Sequence, residues 1–70
     1  MLQLTHRQKD IYEFIREFQD EHKYPPIFRQ IAQAQGISVG AVQWHINAIE
    51  KKGRLKRIPN EARTIQLIGD

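Results

Sequence analysis

The chemistry in this sequence is concentrated in two neighbouring stretches. Between positions 51 and 63, Lys51, Lys52, Arg54, Lys56, Arg57 and Arg63 face a single acidic residue, Glu61. That segment carries +5 of a net +3, so the remainder of the chain is −2. Localised cationic charge on an otherwise balanced chain suits binding of phosphate groups. On charge alone, a solvated surface run fits equally well. Just upstream, SVGAVQWHINAIEKKG, residues 38 to 53, contains the only tryptophan, Trp44. If this stretch is helical, Val42, Ile46 and Ile49 fall within roughly 60° of one another and form its buried stripe. Trp44 then points the opposite way, with Gly40, Asn47 and Lys51. A large ring there needs a cover, and the choices are a DNA groove, a protein partner or a neighbouring part of the same chain.

Other chemistries find no support. His6 and His22 stand at opposite ends of the first predicted helix and His45 on the third, no HxxxH spacing occurs and there are no cysteines, so no metal site is expected. His45 borders the buried stripe and reads as a packing histidine. Paired catalytic groups, a glycine-rich phosphate loop and nucleophile motifs are missing, which argues against an enzyme and against a cofactor or small-molecule substrate.

The elements that must hold these residues can be read from caps and periodicity. Thr5 followed by Gln8 matches a capping box, and Ile11, Phe14, Ile15 and Phe18 recur at helical spacing. A first helix is predicted over about 5–22, ended by Tyr24-Pro25-Pro26. A second, over about 27–35, buries Ile31, Ala32 and Phe28 and stops at Gly36. Ser38, the only serine, is placed to cap a third helix over about 39–52 that stops at Gly53. Two short strands, Arg54 to Ile58 and Arg63 to Ile68, then flank the turn-forming Pro59-Asn60-Glu61-Ala62. Alternation turns Leu55, Ile65 and Leu67 toward the helices and Arg54, Lys56 and Gln66 toward solvent. Arg57 breaks that alternation, which predicts a bulge, an early strand end, or an aliphatic stem along the sheet with its guanidinium in water.

The expected fold is therefore mostly α with a small antiparallel β-hairpin, a winged helix-turn-helix of three helices plus a two-stranded wing. Seventy residues suffice for one domain, 1–70. No apolar run approaches the roughly 20 residues of a membrane span and no signal peptide is visible, so a cytoplasmic chain with no membrane partner is expected.

Several motifs in this order resemble the DNA-binding domain of the LexA repressor family. They are Leu4-Thr5-His6-Arg7-Gln8, Tyr24-Pro25-Pro26, Ile31-Ala32, Gly36-Ile37-Ser38, His45-Ile46 with Ala48-Ile49, Lys52-Gly53, and Arg63 with Ile65 and Leu67. The resemblance implies binding of double-stranded DNA by a transcriptional regulator. The family's self-cleaving serine and lysine domain is not matched, because the only serine is the helix cap and no Ala-Gly dipeptide occurs. A naturally minimal regulator and an excised N-terminal domain both fit. Gln35, Gly40 and Trp44 depart from common family choices, so the family's operator is not carried over.

By position in such a helix-turn-helix, Ser38, Gly40, Ala41, Gln43 and Trp44 would face base edges in the major groove. Gln43 suits paired hydrogen bonds to adenine, and Ala41 suits a thymine methyl. Lys52, Arg54, Lys56, Arg57 and Arg63 would contact phosphate, with Arg7 and Arg29 adding backbone contacts near helix starts. Pro59, Asn60 and Glu61 form a wing tip placed for the minor groove. A single module has a small footprint, so a homodimer on two half-sites is expected. The rival reading is a winged-helix protein-interaction module anchored by Trp44.

Overall fold

Helix α1 (His6–His22) begins where the sequence demands. The Thr5 hydroxyl accepts from the Gln8 backbone N–H at 3.3 Å, and the Gln8 side chain accepts in return from the Thr5 N–H at 3.0 Å. These two bonds satisfy donors that a helix start leaves open. The computed structural model describes residues 3–58 and 63–68. At its far end α1 closes on Lys23, in the left-handed region at φ 68°, whose N–H bonds the Gln19 carbonyl at 2.8 Å. The prolines then prevent continuation.

Helix α2 (Phe28–Gln35) lacks a capping hydroxyl, because Ile27 occupies the cap position. Gln30 supplies half of the missing arrangement by accepting from the Ile27 N–H at 2.9 Å. Gly36 ends α2 at φ 68°, a conformation that costs a residue bearing a Cβ. Two residues later Ser38 accepts from the Ala41 N–H at 3.1 Å and opens α3 (Val39–Lys51). The turn between the two helices is therefore very short, which fixes their mutual angle. Gly53, at φ 76°, turns the chain out of α3.

Strands β1 (Leu55–Lys56) and β2 (Gln66–Leu67) pair antiparallel, with Leu55 opposite Leu67 and Lys56 opposite Gln66. The ladder is shorter than the expected 54–58 and 63–68. Beyond Lys56 the Thr64 hydroxyl takes over, accepting from the Ile58 N–H at 3.1 Å and donating to the Ile58 carbonyl at 3.2 Å. A side chain thus replaces the strand partner, and the chains need not stay in register there. The turn residues Pro59, Asn60 and Glu61 lie outside the described residues.

The core gathers Ile11, Tyr12 and Ile15 from α1, Ile31 and Ala32 from α2, Val42, Ile46 and Ile49 from α3, Leu55 from β1, and Ile65. Phe14, Phe28 and Leu67 pack at its margin. Tyr12 was not expected inside, and it is buried because the wing covers it: its hydroxyl donates to the Ile68 carbonyl at 3.3 Å. Gln19 repeats that tie about two turns later, donating to the Ile65 carbonyl at 3.1 Å. Helix α1 therefore holds the wing while its own apolar stripe holds α2 and α3.

Candidate nucleic-acid interface

The buried stripe of α3 leaves the opposite face open. Ser38, Gly40, Gln43 and Trp44 are exposed, together with Val39, Asn47 and Lys51, and Ala41 is half-covered. Trp44 retains 66% of its surface. The edge of the neighbouring His45 ring meets it at a centroid distance of 5.1 Å, and Asn47, Ala48, Glu50 and Lys51 line the same shallow depression. Among the described residues, no other part of the fold covers it. A Cβ built at Gly40 would approach only the Ser38 hydroxyl, at 3.9 Å. The fold itself does not need a glycine there, so its smallness serves something outside the domain or nothing. The sequence placed Asn47 on the exposed face with Trp44 but gave neither it nor Val39 a contact role, although Asn47 stands four residues after Gln43 along one row of the helix.

The seven cations expected at phosphates are arranged quite differently from a free brush. Arg7 donates to the Gln35 carbonyl at 3.1 Å, next to the turn that joins α2 to α3. Lys52 donates to the Gln3 carbonyl at 2.8 Å and to the Gln8 side chain at 2.7 Å, clasping the end of α3 to the start of α1. Gln8 is only 4% exposed, so this amide would be a costly buried polar group without such donors. Arg54, expected in solvent, instead lies over the Tyr12 ring at 5.2 Å, with Arg16 at 5.4 Å from the same ring. The reason is packing: the buried tyrosine offers a π face that a guanidinium stem can cover. Arg63 sits at φ 59°, donates to the Pro25 carbonyl at 2.9 Å and covers Tyr24 at 4.4 Å.

Arg57 corrects the expectation most clearly. The strand does end early, as one of the readings required, but the guanidinium is not in water. It donates to the Asn47 side-chain oxygen at 2.6 Å, lies 3.5 Å from a Glu50 carboxylate oxygen and covers the Phe28 ring at 5.5 Å. Among the described residues, Arg29 and Lys56 are exposed and make no ion pair or hydrogen bond through their side chains. Lys51 is placed likewise beside Trp44.

His45 is half-buried on the flank of α3, and its Nδ1 is buried without a hydrogen-bond partner among the described residues. Burial first, and the Arg7 charge second, hold its pKa below the ordinary 6.5. The folded state therefore favours the neutral ring. A depressed pKa contributes stability above the unfolded-state value and loses it as pH falls through the folded value. We expect the urea midpoint to drop as pH is lowered from about 7.5 toward about 5, and a His45→Gln variant to lose most of that dependence. An unchanged slope in the variant would contradict the assignment. No group of three or more His, Cys, Asp or Glu able to hold a metal occurs among the described residues. Among the described residues, no helix is long and apolar enough to cross a membrane.

Comparison with known proteins fits this geometry. The family model described as LexA DNA binding domain matches residues 1–64. The chain belongs to that family. The LexA repressor of Koribacter versatilis (strain Ellin345) is 44% identical over 69 residues, which is 97% of this chain and 33% of that protein. The LexA repressor of Bacillus mycoides (strain KBAB4) is 42% identical, aligned over 100% of this chain and 35% of that protein. The LexA repressor of Caldicellulosiruptor saccharolyticus is 41% identical, over 97% and 34% respectively. The chain thus spans about a third of the length of the curated relatives it matches. Three helices with a two-stranded antiparallel wing are the winged helix-turn-helix of a LexA DNA-binding domain. In these terms α2 and α3 are the helix-turn-helix pair of this LexA-family domain, and β1 and β2 are its wing.

Proposed function

We propose that this domain binds operator DNA as part of a transcriptional repressor, with α3 in the major groove. The observation that carries the reading is the open face of α3, dominated by a Trp44 that keeps 66% of its surface, in a chain of the LexA DNA-binding family. An exposed indole gains from a partner that covers it, and base edges with their methyl groups form a suitable apolar floor. Ser38, Gly40, Ala41, Gln43 and Trp44 face the bases in this arrangement. Gln43 carries the hydrogen-bonding specificity, through its ability to donate and accept at one adenine. Gly40 lets the start of α3 come close to the duplex.

Phosphate contacts come first from Arg29, Lys51 and Lys56, whose charges are not engaged by described residues. Arg7, Lys52, Arg54 and Arg63 keep spare N–H groups after their internal bonds and add to the field around the site. Pro59, Asn60 and Glu61, outside the described residues, are assigned to the minor groove by their place between the two strands. One such module buries roughly 600–1,000 Å² of protein surface, so two copies on adjacent half-sites supply the specificity that a genome demands.

Titration of a duplex pool into the protein while following Trp44 emission tests the reading. Because Trp44 is the only tryptophan, a change in emission on binding reports its own environment. Quenching or a spectral shift that saturates, and that weakens as salt rises, supports it. Binding with no change in emission contradicts the placement of Trp44, and no binding at low salt contradicts the proposal itself.

A further inference from the structure

Arg57 is the first residue beyond the paired part of β1, yet its side chain retains only 17% exposure. Two helices hold it: α2 through Phe28 at its start, and α3 through Asn47 and Glu50. Its Nε is buried and forms no hydrogen bond, so Glu50 offsets its charge as an ion pair at 3.5 Å and not through a directed bond. Asn47 makes the short contact, accepting at 2.6 Å.

That contact has one chemical orientation. A guanidinium offers only donors and no acceptor, so the Asn47 amide can meet it only through oxygen. The amide nitrogen must then point away from Arg57. Asn47 is exposed on the row that starts at Gln43, and it lines the depression that holds Trp44. Four residues of helix advance about 6 Å, close to two base-pair steps at about 3.4 Å each, so an amide at this position meets a different part of the duplex from Gln43.

We infer that Asn47 is a further specificity or anchoring residue of α3, donating from its side-chain amide to an acceptor atom of duplex DNA beside Trp44, and that Arg57 is the positioning residue that locks this orientation. The inference rests on the DNA-reading assignment of α3. It reverses the expected role of Arg57: the residue shapes the interface from behind and does not contribute a phosphate contact. Releasing it toward phosphate would strip the charge partner from Glu50 and uncover Phe28.

The test is a double-mutant cycle on the duplex that wild-type protein enriches from a randomised pool. Asn47→Ala and Arg57→Ala are each expected to weaken binding about fivefold, the effect of one hydrogen bond, and the double variant by no more than the larger single loss. The slope of log affinity against log salt stays unchanged throughout, because no phosphate cation is removed. Arg57→Lys also presents only donors, so where its ammonium reaches Asn47 it holds the same amide orientation, and it is expected to keep more binding than Arg57→Ala at an unchanged salt slope. Asn47→Ala and Arg57→Lys carry the test if Arg57→Ala does not fold.

A motif relaxed at one position by Asn47→Ala identifies a base acceptor, and an unaltered motif with weaker binding identifies a phosphate or sugar oxygen. Three results overturn the inference: Asn47→Ala with unchanged affinity, strictly additive losses, or an Arg57→Ala slope reduced by about 1 and restored by lysine. Each leaves the DNA-reading assignment standing if wild-type protein binds. Wild-type protein that enriches no duplex overturns both.

Discussion

Replacing Ile46 with alanine is expected to lower the unfolding free energy by about 3 kcal/mol, within the usual range for emptying a buried isoleucine site. Ile46 has 0% exposure and stands between Val42 and Ile49, in the cluster shared by all three helices and the wing. A domain of this size has on the order of 3.5–10 kcal/mol in total, so the loss removes a large part of its stability. Its DNA binding would then fall with the folded fraction. Urea denaturation reads the effect as a lower midpoint at unchanged slope. Gln33→Ala, at an exposed position of α2, serves as the comparison and should shift stability by less than about 0.5 kcal/mol. A loss below about 1 kcal/mol for Ile46→Ala would show that α3 does not pack as described.

Raising monovalent salt from about 50 to about 200 mM is expected to weaken DNA binding roughly a hundredfold, corresponding to about four neutralised phosphates. Internal bonding of the cations makes the number modest. Lys56→Ala, which removes a charge with no described partner, should reduce the salt slope by about 1 and weaken all sequences alike. Arg54→Ala should act differently: its guanidinium covers Tyr12, so stability falls while the slope changes little. Equilibrium binding at four or five salt concentrations separates these cases. A slope of about 7 for the wild type would mean that the clasped arginines leave their internal partners on binding.

The helix boundaries were legible because their signals are local. Thr5 with Gln8, Gly36 with Ser38, and Gly53 act within a few residues of themselves, and the structure puts α1, α2 and α3 between them. The exposure of Trp44 followed from its angle to Val42, Ile46 and Ile49 for the same reason. What sequence could not supply were partnerships across long separations. Lys52 meets Gln8 only when α3 packs against the start of α1, and Arg63 meets Pro25 and Tyr12 meets Ile68 only when the wing folds back over the helices and the loop after α1. A basic residue in isolation reads as a phosphate ligand, and its clasping role emerges only with the carbonyl or ring it reaches. The shortened ladder is similar, since alternation predicts strand and cannot reveal that the Thr64 hydroxyl will replace a backbone partner. Asn47 was legible in position and missed in role, because its meaning depends on Arg57 ten residues away.

The central claim is that α3 reads base sequence. Its most direct test is to sequence the duplexes retained from a randomised pool by the wild type and by Gln43→Ala. The account predicts that the wild type enriches a short motif and that Gln43→Ala keeps the motif but loses preference at one position, with about 1–3 kcal/mol less discrimination there. Identical motifs from both proteins, or no motif from the wild type at low salt, would contradict it.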